Sequence, residues 1–329
     1  VDINFITMAA KTVSNGMTVF KPLYWLFGKC MEGLLFVFND NYFLALIVFT
    51  VLTRLILFPF NLKQQKTMAK TTRLQPKIQK IQKKYANTND PRDRQKMNEE
   101  MQELYAREGH NPMNMGCGPM AFQMIFLMGI IGIIYYPIQY IIGVDVVSKA
   151  TDIASAINFS GTYFQIEILQ NFADYKDTLM TQFSDLFTPE KVAAIEEYRS
   201  HMMLGSLDMT QIPHWKDGII IIIPLLCLLT SFGSSIMSTL IQKKNNPAAA
   251  QQQQQMLLMM LMMPFFSFYI SFKVSAAVGF YWIISNLVAI VQQLVMAKFF
   301  PPKRNMARQM IEGTIERRSR EESIKKIKK

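Results

Sequence analysis

Arg54 sits inside an apolar run, YFLALIVFTVLTRLILFPF (42–60), six residues before its end. On a helix that is about 9 Å from the nearer edge of the run. A guanidinium at the centre of a bilayer costs of order 3 kcal/mol, so this residue at this depth demands a physical account. Two readings fit. The side chain snorkels to the interface, or it lines a wet, protein-walled cavity. Thr50 shares its helical face at i−4, and Thr53 is adjacent. Other polar residues within apolar runs are Gln123, Ser285, Asn286, Gln292 and Gln293, with Ser231, Ser234, Ser235 and Ser238 at positions that equally suit helix packing. None of these runs contains an acidic residue. An unpaired positive charge in a low-dielectric groove attracts a carboxylate or a polar peptide segment, and a proton-coupled pump would lack its intramembrane carboxylate.

Covalent chemistry finds little support. Cys30, Cys117 and Cys227 are scattered, with no CxxC, and His110, His201 and His214 all lie outside the apolar runs. There is no H-E-x-x-H, no G-x-S-x-G, no phosphate-binding loop and no pair of carboxylates within a span. Neither a metal nor another cofactor is expected, nor a disulfide framework.

The elements that must position Arg54 follow from composition. Hydrophobic residues make up 50% of the 329, and charged residues only 18%, below the roughly 25% of a soluble domain. The pattern predicts an all-α polytopic membrane protein with five transmembrane helices at 42–60, 117–142, 218–240, 256–272 and 274–300. The fourth is short and contains Pro264, which predicts a kink or a position where the bilayer is locally thin. The connecting segments set a direction. Residues 61–116 carry 12 Lys/Arg against six Asp/Glu, 143–217 carry five against 11, 241–255 carry Lys243 and Lys244 alone, and the tail from 297 carries 11 against four. By the positive-inside rule this predicts an N-out/C-in topology, with 61–116, the loop 241–255 and the tail 301–329 in the cytosol and 143–217 outside. The net charge of +11 then belongs to cytosolic loops near anionic lipid rather than to a nucleic-acid site.

Within the first cytosolic segment Leu74, Ile78, Ile81 and Tyr85 recur at helical spacing. After the turn-forming ANTNDP, so do Met97, Met101 and Leu104. Two thin apolar stripes joined by a short link predict an antiparallel helical hairpin, marginally held to the membrane and serving either as a solvated tether or as a docking surface. Before the first span, PLYWLFGKCMEGLLFVF within residues 1–41 predicts an interfacial amphipathic helix with Tyr24 and Trp25 at the headgroup level, a further span being the alternative. In 143–217, FQIEILQNF and PEKVAAIEEYRSHMM read as short helices, the second with Pro189 in its first turn. QQQQQ (251–255) reads as part of a flexible loop. The chain opens at Val1 rather than Met, leaving room for a leading segment. The residues alone describe a membrane protein with a polar cavity and a basic docking surface; a transporter, a channel or a membrane scaffold would use the same features.

Three stretches carry a resemblance: TVLTRLILFPFNLKQQKTMAKTTRLQPKIQKIQKKY (50–85), NPMNMGCGPMAFQMIFLMGIIGIIYY (111–136) and VGFYWIISNLVAIVQQ (278–293). Together with span order, they resemble the YidC/Oxa1/Alb3 family of membrane protein insertases in its short five-span core form. The resemblance implies a bacterial inner-membrane insertase and chaperone without covalent chemistry. It implies a hydrophilic substrate groove, open to the cytosol, built from Arg54, Thr50, Gln123, Ser285, Asn286 and Gln292, with Tyr281 and Trp282 in the motif of the last span. The hairpin residues Leu74, Pro76, Ile78, Ile81, Tyr85, Met97, Met101 and Leu104 become a docking surface. The implied partners are nascent membrane proteins, a SecYEG-type translocon, the ribosome and the signal recognition particle pathway, and anionic lipids. The 143–217 stretch exceeds the compact family pattern, and the resemblance implies no role for it.

Overall fold

A computed structural model describes residues 18–85, 90–107, 117–159, 161, 163–245, 253–301 and the isolated positions 311, 314, 315, 318 and 319. Across these residues the protein is almost wholly helical. After a 3-10 turn at Thr18–Phe20 come α1 (Lys21–Val37), α2 (Tyr42–Lys84), α3 (Pro91–Arg107), α4 (Cys117–Tyr135) and α5 (Pro137–Tyr140). The 143–217 segment contributes α6 (Ala150–Ala156), α7 (Phe164–Gln170), α8 (Phe172–Gln182), α9 (Pro189–His201) and the short strands β1 (Met203–Leu204) and β2 (Leu207–Asp208). A 3-10 turn at Gly218–Ile221 then leads into α10 (Ile222–Asn245), followed by α11 (Gln253–Ser271) and α12 (Ala276–Phe299).

Among the described residues, three helical stretches are long and apolar enough to cross a bilayer: Tyr42–Lys63, Gly218–Ile241 and Ala276–Phe299. Two shorter apolar stretches, Ile125–Tyr135 and Met262–Ser271, belong to α4 and α11.

Several elements differ from what the sequence predicts, each for a local reason. The helix that carries the first span does not stop where its apolar part does: α2 continues unbroken to Lys84 through a stretch rich in Gln and Lys, which are good helix formers. The run 117–142 divides at Tyr136, whose backbone leaves the helical region (φ −125°, ψ 46°) in front of Pro137. Gln253 to Gln255 belong to the first turn of α11, so part of the glutamine run is helix rather than loop; the stretch 246–252 lies outside the described residues. Tyr24 is only 3% exposed and packs against Tyr140 and Tyr136 (ring centroids 5.6 and 6.0 Å). Its ring occupies the space over Gly132, where a Cβ would come within 2.2 Å of ring carbons.

The chain forms two compact units. One comprises Val1–Arg54, Gln123–Ser231 and Pro264–Asn286. It has a continuous apolar core drawn from α1 (Phe27, Met31), the start of α2 (Tyr42, Leu46, Phe49), α4 (Ile130, Ile133), the 143–217 helices (Ile153, Phe164, Leu179, Ile195) and the start of α12 (Ala277, Val278). The 143–217 segment thus shares one core with the apolar helices. Thr188 caps α9, its hydroxyl accepting from Lys191 N–H, with Pro189 at the first helical position. The two-residue connection Gly205–Ser206 closes an antiparallel β1–β2 ladder, with Gly205 at φ +62°.

The other unit comprises Leu55–Phe122, Phe232–Met263 and Leu287–Lys329. In it Leu74 and Ile78 of α2 are buried. Glu100 of α3 accepts hydrogen bonds from Lys84 and from the Tyr85 hydroxyl (2.9 Å). Most of the basic tail, 302–310 and 320–329 included, lies outside the described residues.

Candidate functional site

Arg54 reaches the site from α2, twelve residues after Tyr42. Its Nη2 donates to the hydroxyl of Ser285 on α12. Ser285 is 5% exposed, and Arg54 is half-buried. Tyr281, buried one turn before Ser285, lies within electrostatic range of the guanidinium. Among the described residues no carboxylate pairs with Arg54. The positive charge is therefore met by neutral oxygens, which leaves most of its five donors available for a further acceptor.

Thr50 and Thr53 share the α2 turn with Arg54 but spend their hydroxyls on their own helix. Thr50 Oγ1 donates to the Leu46 carbonyl (2.7 Å) and Thr53 Oγ1 to the Thr50 carbonyl (2.8 Å). Such back-bonding satisfies a buried hydroxyl locally. Thr50, completely buried, accordingly supports the packing of α2 more than it enlarges a polar surface. Asn286 turns elsewhere: its Nδ2 donates to Ser231 Oγ (2.8 Å) and Thr230 Oγ1 (3.3 Å) on α10. In the sequence Ser231 belongs to a serine run that equally suits helix packing, and Thr230 stands beside it unmarked. Apart from their small polar type, neither carried a signal that Asn286 would find them.

Gln123 lies on α4, and its side chain is outside the described residues, as is that of Pro76. Gln292 stands further along α12, in the second unit, with its amide Nε2 buried and without a partner among the described residues. Of the hairpin residues, Leu74 and Ile78 are buried, while Ile81, Tyr85, Met97, Met101 and Leu104 are half-buried. No group of three or more His, Cys, Asp and Glu suited to a metal ion occurs among the described residues.

A buried arginine contact between two long apolar helices, on a largely helical chain, is the frame in which sequence relatives become informative. A family model described as 60Kd inner membrane protein matches residues 34–304, most of the chain. The chain belongs to that family. Membership, together with the long apolar helices, makes it a multi-pass protein of the bacterial inner membrane. Relatives within the YidC group include "Membrane protein insertase YidC" of Oceanobacillus iheyensis, 39% identical over 119 residues, which are 36% of this chain and 44% of the relative. "Membrane protein insertase YidC 2" of Listeria innocua is 39% identical over 108 residues, 33% of this chain and 36% of the relative. "Membrane protein insertase YidC" of Fusobacterium nucleatum is 37% identical over 94 residues, 29% of this chain and 43% of the relative. The matched stretches thus span less than half the length of these curated relatives.

Proposed function

We propose that this chain inserts membrane proteins through a polar groove in which Arg54 transiently holds an arriving hydrophilic segment. The observation that carries the reading is the half-buried guanidinium, bonded to the neutral Ser285 hydroxyl with no carboxylate partner among the described residues. A substrate carboxylate or peptide carbonyl would find there a charge-assisted donor in a medium that strengthens the bond. A fully ion-paired arginine would offer much less. The names of the relatives support the same reading.

In this mechanism five helices span the bilayer, N-out/C-in, with α4 and α11 as the second and fourth spans. The polar segment of a substrate enters from the cytosol and contacts Arg54, which shortens its path through hydrocarbon. The apolar segment then moves into lipid, driven by about 25 cal/mol per Å² of buried apolar surface. The membrane potential assists acidic external ends. The α2–α3 hairpin receives the arriving chain from the ribosome or signal recognition particle route, and the basic tail meets ribosomal RNA or anionic lipid. A SecYEG-type translocon is the partner for larger substrates, which the protein helps to fold.

The test is insertion of a small single-span protein into liposomes that contain the full chain, with Arg54→Ala and empty liposomes alongside. Protease-protected product above the empty baseline, largely lost in the variant, supports both insertion and the role of Arg54. Equal product from both proteins keeps insertion and removes the arginine mechanism. Product at the empty baseline across several substrates turns the assignment toward a transporter or scaffold.

A further inference from the structure

The first turn of α12 is buried: Ser275, Ala276, Ala277 and Val278 are all 0% exposed. The opening N–H groups of a helix have no intrahelical acceptor and must be satisfied from outside when water is excluded. Among the described residues the Ser275 hydroxyl accepts from none of these N–H groups. The acceptors come instead from the 143–217 segment and α4. Ala276 N–H donates to the Gln211 carbonyl (2.8 Å), Ala277 N–H to the Met209 carbonyl (2.9 Å) and Ser275 N–H to the Tyr135 hydroxyl (3.1 Å).

The turn after β2 that offers these carbonyls is itself fixed by Asp208, which is 6% exposed. One carboxylate oxygen accepts from both Thr210 N–H (2.9 Å) and Thr210 Oγ1 (2.6 Å); the other accepts from Arg199 Nη2 (2.6 Å). Met209 N–H donates to the Met202 carbonyl (3.1 Å), closing the turn against α9. The same segment ties two other helix ends. Tyr198 meets the Tyr42 ring edge-on at the start of α2 (5.8 Å). Gln165 Oε1 accepts from Gln139 N–H (3.1 Å), and Lys191 Nζ donates to the Ile142 carbonyl (3.1 Å), at and just beyond α5.

We propose that the 143–217 segment is a brace that sets the axial position of α12 relative to α2, and that Asp208 is the positioning residue through which it holds Ser285 at Arg54. This deepens the insertase reading and rests on it for its functional half. The reason is the stiffness of a helix. Ser285 lies nine residues along α12 from Ala276, about 14 Å, and a slip of one residue at the cap carries it by about 1.5 Å. A displacement of that size takes a hydrogen bond out of range. Small changes at the Asp208 turn therefore arrive undiminished at the Arg54 contact.

The experiment uses the full chain in lipid vesicles with Cys30, Cys117 and Cys227 replaced by alanine and with Phe43→Cys and Phe280→Cys introduced. These two rings lie 5.5 Å apart across α2 and α12. Cross-linking by a short bis-maleimide reads helix apposition, and insertion of a single-span substrate is measured on the same vesicles. Asp208→Ala is expected to slow cross-linking about fivefold and to lower insertion in proportion. Asp208→Asn, which keeps the acceptor for Thr210 but turns an amide donor toward Arg199, is expected to restore both only in part. Cross-linking of Asp208→Ala at the parent rate overturns the brace, whatever insertion does. Where Asp208→Ala does not accumulate, Thr210→Ala carries the test: cross-linking about twofold slower supports the brace, and the parent rate overturns it. If the parent protein inserts nothing, the insertase reading falls, while the cross-linking comparison still decides the brace.

Discussion

Ser285 and Asn286 are consecutive on α12 yet bond to different helices: Ser285 accepts from Arg54 on α2, and Asn286 donates to Ser231 on α10. Neighbours on a helix point about 100° apart, so one dipeptide faces both partners. Ser285→Ala removes the protein's acceptor for Arg54 but leaves the charge. Insertion is expected to fall less than in Arg54→Ala, and Arg54→Lys to fall between the two, since lysine keeps the charge without the planar donor fork. Initial rates in liposomes check the order. Arg54→Lys as inactive as Arg54→Ala would mean that guanidinium geometry, not charge, is what the substrate needs.

Asn286→Leu should act on stability rather than on the Arg54 contact. It leaves the Ser231 hydroxyl, on a residue 9% exposed, without its donor, a loss of about 1–2 kcal/mol. Thr230 is better protected, because its own hydroxyl donates to the Leu226 carbonyl (2.8 Å). Thermal unfolding in detergent should show a lowered midpoint. An unchanged midpoint with reduced insertion would instead place Asn286 in substrate contact.

Gly28 and Gly33 provide a matched pair on α1. A Cβ at Gly28 would come within 2.2 Å of the Tyr140 carbonyl oxygen, a backbone atom that cannot rotate aside, whereas one at Gly33 meets nothing within 4 Å. Gly28→Ala is expected to cost about 1–3 kcal/mol by separating α1 from α5. Gly33→Ala should be neutral or stabilising by up to about 1 kcal/mol. Melting midpoints of the two variants in the same detergent make the comparison. Equal shifts would show that α1 does not pack on α5 as described.

The Lys84–Glu100 contact predicts a pH window for the α2–α3 pair. The hydrogen bonds from Lys84 and then Tyr85 hold the Glu100 carboxyl below the usual glutamate range; Glu100, then Tyr85, hold Lys84 above the usual lysine range. A depressed carboxyl contributes attraction above its unfolded value and loses it as pH falls through the folded one. A raised ammonium contributes below its unfolded value and loses it as pH rises through the folded one. The contact therefore fades at acid pH, as Glu100 protonates below the usual glutamate range, and at alkaline pH, as Lys84 loses its proton above the usual lysine range. The ammonium group is exposed, so added salt also weakens it. Spin labels at Lys83→Cys and Glu103→Cys should give a distance distribution that broadens at acid pH and at high salt. A distribution constant from pH 7 to pH 3 would show that apolar packing alone holds the pair.

The sequence by itself determined what depends on near neighbours. The apolar runs are long enough to cross a bilayer, Arg54 is conspicuous because nothing around it is charged, and the stretches at 50–85, 111–136 and 278–293 carry the insertase resemblance. Helix spacing also placed Leu74 and Ile78 on the face that proves buried, and Pro189 at the start of α9. Tertiary structure alone decided which oxygen meets Arg54, 231 positions away, and that Asn286 belongs to a different contact. It also decided that Thr50, though on the face of Arg54, satisfies its own hydroxyl within α2. The physical reason is that local periodicity reports which face of a helix avoids water, while a hydrogen bond between helices depends on axial register. Register here is held at the far end of α12, where an undistinguished stretch, Met209 to Gln211, offers backbone carbonyls that carry no mark in side-chain sequence.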